Sequence, residues 1–121
     1  MELVSWRTVA EAQAAVDRCL QMARDGGLYV RQGDFLFGTG GGRFMGHQWR
    51  TNYLVVVTVG TAWAVQEDGS RAVLWPGQAA FWPTGEWFAV DIPEGFGAEA
   101  LTLEGDDLGI DHLRTMSAQR K

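Results

Sequence analysis

Gly77-Gln78-Ala79-Ala80-Phe81-Trp82-Pro83-Thr84-Gly85 decides the fold. Its form is G-x5-P-x-G, a short apolar run between two glycines with a proline at the exit. Glycine reaches the backbone angles of sharp turns, and proline fixes φ and cannot donate to a sheet ladder. The pattern therefore predicts a short buried strand, Ala79 to Trp82, that ends at a stiff corner. On its N-terminal side Ala72 to Trp75 reads as another strand. Before that, Glu67-Asp68-Gly69-Ser70 carries the Asp-Gly pair of a hairpin turn. On its C-terminal side Trp87 to Ile92 and Ala98 to Leu103 continue the series. Upstream, Leu28 to Arg31, Phe35 to Phe37, Arg43 to Trp49, Tyr53 to Val59 and Thr61 to Gln66 have the same character. Short strands at this spacing predict an all-β sandwich or barrel.

The chain before the strands has a different period. Thr8 followed by Glu11 is a capping box, and Val9, Ala12, Val16, Cys19, Leu20 and Ala23 recur at helical spacing. A helix over Val9 to Arg24 follows, stopped by Gly26 and Gly27. After the last strand, Leu108, Ile110, Leu113 and Met116 fit one face of a short C-terminal helix. The glycine run from Gly38 to Gly42 lies between two candidate strands, a context that predicts a hairpin loop rather than a phosphate-cradling one. The organisation expected is one domain: a helical extension over 8–25, a barrel over about 28–104, and a tail or helix over 106–121.

The G-x5-P-x-G segment, with the hairpin ahead of it, resembles the second conserved motif of the cupin superfamily. The first cupin motif, G-x5-H-x-H-x3,4-E-x6-G, is matched in spacing by Gly41, His47, Trp49, Tyr53 and Gly60. The family's third histidine falls at Phe88. The resemblance covers roughly Phe35 to Leu103 and implies a double-stranded β-helix, or jelly-roll barrel. It also implies that a metal-ligand set of His, His, Glu and His has become His47, Trp49, Tyr53 and Phe88. Transition metals need three or four N, O or S donors, so no metal and no cofactor is expected.

Composition narrows the partners. A formal charge of −5, without a block of Lys or Arg, lacks the basic footprint of a nucleic-acid binder. No apolar stretch of about 18 residues and no signal-peptide pattern occurs, so neither a membrane nor secretion is expected. The single Cys19 rules out an internal disulfide and suits the cytoplasm; on the apolar helix face it reads as a core residue. His112 falls in the expected C-terminal helix, where solvation or contact with the helix end is its natural role.

Six tryptophans in 121 residues are the compositional outlier. The ligand-binding set expected is His47, Trp49, Tyr53 and Phe88 at a barrel mouth, with Trp63 and Trp82 on neighbouring strands. These rings either line a pocket for a small hydrophobic or aromatic molecule or simply fill the barrel. The reading preferred is a metal-free, non-catalytic binder. An alternative is a cofactor-independent isomerase, epimerase or cyclase, in which His47 is the base and Tyr53 the acid, with Asp34, Glu86 or Asp91 as orienting carboxylate. A third is a structural homodimer joined through exposed Trp6, Trp75 or Trp87.

Overall fold

The computed structural model describes residues 1–37, 41–45 and 51–116. Among these, the strands are β1 (Glu2–Ser5), β2 (Val30–Phe37), β3 (Gly42–Met45), β4 (Asn52–Gly60) and β5 (Ala62–Val65), followed by β6 (Arg71–Leu74), β7 (Gln78–Trp82), β8 (Ala89–Ile92) and β9 (Ala98–Gly105). The helices are α1 (Val9–Asp25) and α2 (Ile110–Met116). The strands form two antiparallel sheets, one in the order β1-β7-β4-β9-β2 and the other β3-β8-β5-β6. This is the expected all-β jelly-roll barrel with a helix at either end of the chain.

Local chemistry accounts for the elements. The Thr8 hydroxyl accepts from the Glu11 N–H at 3.1 Å and opens α1, a cap that contributes about 1 kcal/mol. The helix closes with the Leu28 N–H on the Ala23 carbonyl and the Gly27 N–H on the Arg24 carbonyl. Gly77 and Gly85, the glycines that bracket the deciding segment, take φ of +88° and +86°, as the sharp turns at its ends require. The Asp68-Gly69 turn joins β5 to β6, with the Ser70 N–H bonded to the Asp68 carboxylate at 2.9 Å.

Strand β4 explains how the core divides. Tyr53 to Val57 are all buried, because both faces of the five-stranded sheet are covered. Leu54 and Val56 face the helix layer with Val4, Ala79, Phe81 and Leu103, against Ala12, Ala15, Val16 and Leu20 of α1. Tyr53, Val55 and Val57 face the second sheet with Ala80, Trp82 and Ala100, against Ala64, Leu74, Val90 and Ile92. The sheet is therefore a wall shared by two cores.

Several expectations are corrected. Glu2–Ser5 is a strand, paired in register with Phe81 to Gln78, so the sheet reaches beyond the expected start of the barrel. Leu28 to Arg31 and Phe35 to Phe37 are not two strands; Val30–Phe37 is continuous along β9. Gly38 to Gly40 lie outside the described residues, but the strands flanking the glycine run are not hairpin partners, since β2 pairs with β9 and β3 with β8, in different sheets. Trp6 is buried under α1 rather than available to a partner, whereas Trp75 is 56% exposed.

Candidate functional site

The inward face of the five-stranded sheet carries one row of side chains across four strands at one end of the barrel. Arg31 on β2 pairs with Glu104 on β9, Glu104 with Tyr53 on β4, and Tyr53 with Trp82 on β7. Directly opposed residues share a face, so a guanidinium, a carboxylate, a phenol and an indole stand in sequence. Phe88, just before β8, closes over the aromatic half from the other sheet. Its ring stacks on Tyr53 at 4.6 Å between centroids and 21° between planes, and lies 4.8 Å from Trp82. Tyr53, Trp82 and Phe88 are 5%, 1% and 1% exposed.

The polar atoms of the row are unevenly satisfied. The Tyr53 phenol shares a hydrogen bond with the Thr102 hydroxyl, which donates onward to the Gly33 carbonyl at 3.3 Å. Burial pushes the Tyr53 phenol up to about 12, and Thr102 only partly offsets this. Arg31 approaches Glu104 at 3.6 Å from an exposed position, while the Glu104 side chain is 17% exposed. The Trp82 Nε1 atom is shielded from water and meets no acceptor among the described residues. A buried donor left unpaired costs about 1–3 kcal/mol.

The structure thus brings together three of the six residues expected at the site, Tyr53, Trp82 and Phe88. His47 and Trp49 lie outside the described residues. Trp63 is corrected: it opposes Val73 and Asp91 on the outward face of the four-stranded sheet, because Ala62 and Ala64 take the inward positions. There the Arg71 guanidinium sits 4.9 Å above the Trp63 ring. Of the carboxylates expected to orient a base, Asp91 and Asp34 lie off this inward face. Asp91 is on that outward face, held below the usual carboxylate range by Arg43 at 2.5 and 2.8 Å. Glu86 pairs with the Met1 amino group, and Asp34 stands on the exposed face of β2. The carboxylate beside Tyr53 is Glu104, which sequence reasoning missed together with Thr102 and Arg31. The alternation Ala98, Ala100, Thr102, Glu104 along β9 carried the signal, since every second residue shares the inward face.

Two other single residues bear on chemistry. Cys19 is buried in the helix layer and its thiol is pushed up to about 11 by burial, the behaviour of an inert core cysteine. His112 is half-buried at α2, with its Nε2 atom shielded from solvent and unpartnered among the described residues.

A transition metal does not fit the described part of the ligand set. Tyr53 offers a neutral phenol already engaged with Thr102, and Phe88 offers no donor atom. Among the described residues no three His, Cys, Asp or Glu side chains are grouped to hold a metal ion, and no helix is long and apolar enough to cross a membrane.

No family model matches the chain, and no curated protein matches it by sequence. Solved structures do match in shape. A cupin-like protein from Thermotoga maritima aligns at a TM-score of 0.60 with 14% identity, over 81% of this chain and 80% of that one. The polyketide cyclase RemF from Streptomyces resistomycificus aligns at 0.57 with 21% identity, over 70% of this chain. The match spans only 60% of the cyclase's own length. A cupin superfamily protein from Desulfitobacterium hafniense aligns at 0.56 with 18% identity, over 64% and 68% of the two chains.

Proposed function

The chain has the cupin fold, and on that premise we propose that it binds a small hydrophobic or aromatic molecule at the Tyr53 end of its barrel, without a metal and without catalysing a reaction. The observation that carries this reading is the row Arg31, Glu104, Tyr53, Trp82. A barrel end serving only as packing is expected to be apolar throughout, because each buried polar group costs free energy unless it is paired. Here a carboxylate, a phenol and an indole N–H are turned inward beside stacked rings, the mixture of apolar walls and few polar handles that small-molecule sites show. Tyr53 supports binding better than proton transfer. With its phenol pushed up to about 12 it keeps its proton at neutral pH, as a fixed hydrogen-bonding group. The unreactive Cys19 suits a cytoplasmic protein.

Titration of the purified protein with 2-naphthol, followed by aromatic NMR, tests the proposal. One site per chain is expected, with shifts centred on Tyr53, Trp82 and Phe88. Shifts confined to exterior residues such as Trp75 or Phe96, or no saturable binding, would overturn it.

A homodimer is the second reading, and it coexists with the first. Leu36 is 81% exposed and Val59 52%, and both oppose Glu99 on the outward face of the five-stranded sheet. Sedimentation equilibrium showing a monomer at high concentration would remove it.

A further inference from the structure

An open cavity of about 410 Å³ lies away from the barrel interior, where α2 meets β1 and the end of β7. Small-molecule sites occupy roughly 300–1,000 Å³, so the space is adequate for one. Its apolar wall is made by Phe81, Leu108 and Ile110, at the rim of the core beneath the helices, with Pro83 beside them. Most of its polar groups are already committed. The Arg114 guanidinium meets both carboxylate oxygens of Glu2 at 2.6 Å and pairs with Asp111 as well. The Asn52 amide donates to the Asp106 carbonyl at 2.8 Å and accepts from the Thr84 N–H at 3.1 Å. The Met1 amino group is held by Glu86. Asp107 differs from these. One of its oxygens accepts from the Gly109 N–H at 2.8 Å, and the carboxylate meets no cation among the described residues. The charge left uncompensated at this cavity is therefore negative.

We propose that this cavity binds a small amphipathic cation, an ammonium group on an apolar body, with the ammonium paired to Asp107 and the body packed against Phe81, Leu108 and Ile110. A carboxylate only accepts hydrogen bonds and an ammonium only donates them, so each supplies what the other lacks. An anion fits worse, because Arg114 is already shared between two carboxylates and an anion would have to displace one of them. The net charge of −5 favours a cation further. Asp107 also borders a smaller cavity of about 110 Å³, between Cys19, Met22, Ala23 and Leu28, which is below the size of such sites and leaves the larger one as the seat. The site is independent of the Tyr53 end of the barrel, since Phe81 and Leu108 belong to the core on the other side of the shared sheet.

The test titrates three probes of one frame, 2-phenylethylamine, 2-phenylethanol and phenylacetate, into the wild-type protein and into Asp107→Asn, which keeps an oxygen for the Gly109 N–H and removes the charge. NMR of methyl and aromatic groups reads both affinity and place. In the wild type the amine is expected to bind tightest, with shifts centred on Phe81, Leu108 and Ile110, and to weaken as NaCl is raised while the alcohol does not. In the variant the amine is expected to bind roughly fivefold more weakly, the size of one partly exposed ion pair, and the alcohol as before. The comparison of probes and the salt series need only the wild type, so they hold even where the variant fails to fold. Phenylacetate binding tightest, the alcohol matching the amine, or an amine affinity equal in the two proteins overturns the inference. So do shifts centred on Met22 and Leu28, and so does the absence of saturable binding by the amine. Shifts centred on Tyr53 and Phe88 overturn it too, while supporting the function proposed for the barrel.

Discussion

Phe88→Ala tests the aromatic end of the barrel most directly. The ring is 1% exposed and lies against Tyr53 at 4.6 Å and Trp82 at 4.8 Å, so its removal takes away a complete side chain and two ring contacts. Truncating a buried phenylalanine costs about 3–5 kcal/mol, and the paired rings place this position in the upper part of that range. Domains of this size have about 5–15 kcal/mol in total, so the variant folds with a much reduced margin. The corresponding fall in melting temperature is roughly 10–20 °C. Urea unfolding followed by tryptophan fluorescence reads the change, with an unaltered slope showing that the folded state remains compact. Toluene in the buffer is expected to recover part of the loss by occupying the space, an effect that grows with its concentration. A midpoint change worth less than about 1 kcal/mol, at unchanged slope, would refute the reasoning, because a ring so enclosed cannot be dispensable.

Two further outcomes follow from the same geometry. Gly60→Ala is expected to destabilise by several kcal/mol, since a Cβ there would lie 2.0 Å from the Gly97 carbonyl oxygen at a φ of +81°; melting curves measure it, and a change under about 1 kcal/mol would contradict the close strand approach. Tyr53 makes stability depend on alkaline pH: its phenol is near 10 in the unfolded chain and about 12 in the fold, so its contribution is constant below pH 10 and is lost as the pH rises from 10 to 12. Tyr53→Phe should flatten that slope in urea midpoints taken across the interval, and an identical slope in both proteins would show that the phenol is not the group responsible.

The sequence was most legible where a local rule decides the outcome. Thr8 and Glu11 mark the start of α1, Asp68-Gly69 marks a turn, and Gly77, Pro83 and Gly85 bracket β7. Each acts within a few residues of itself. The strand at Glu2–Ser5 was illegible because four residues carry almost no periodic signal, and it exists only through pairing with β7 more than seventy residues away. The directions of Trp63 and Trp82 were unreadable for a related reason. A strand's facing depends on register against distant partners, and a slip of one residue exchanges the faces. Spacing singled out Tyr53 and Phe88, which the structure stacks ring on ring. It could not find Arg31, Thr102 and Glu104, which reach the same end of the barrel only through β9 pairing with β2 and β4.

The wall shared by the two cores makes each side answerable to the other. Val55 and Val57 border the barrel interior while Leu54 and Val56, on the same strand, carry α1 and its neighbours. A methyl group added at Ala12 or Ala15, where α1 lies against that wall, must be absorbed by a shift of either the helix or the strand. Any such shift reaches Tyr53 and Trp82 through the backbone that holds them. A change in the helix layer is thus expected to be felt at the Tyr53 end of the barrel through residues that never face it.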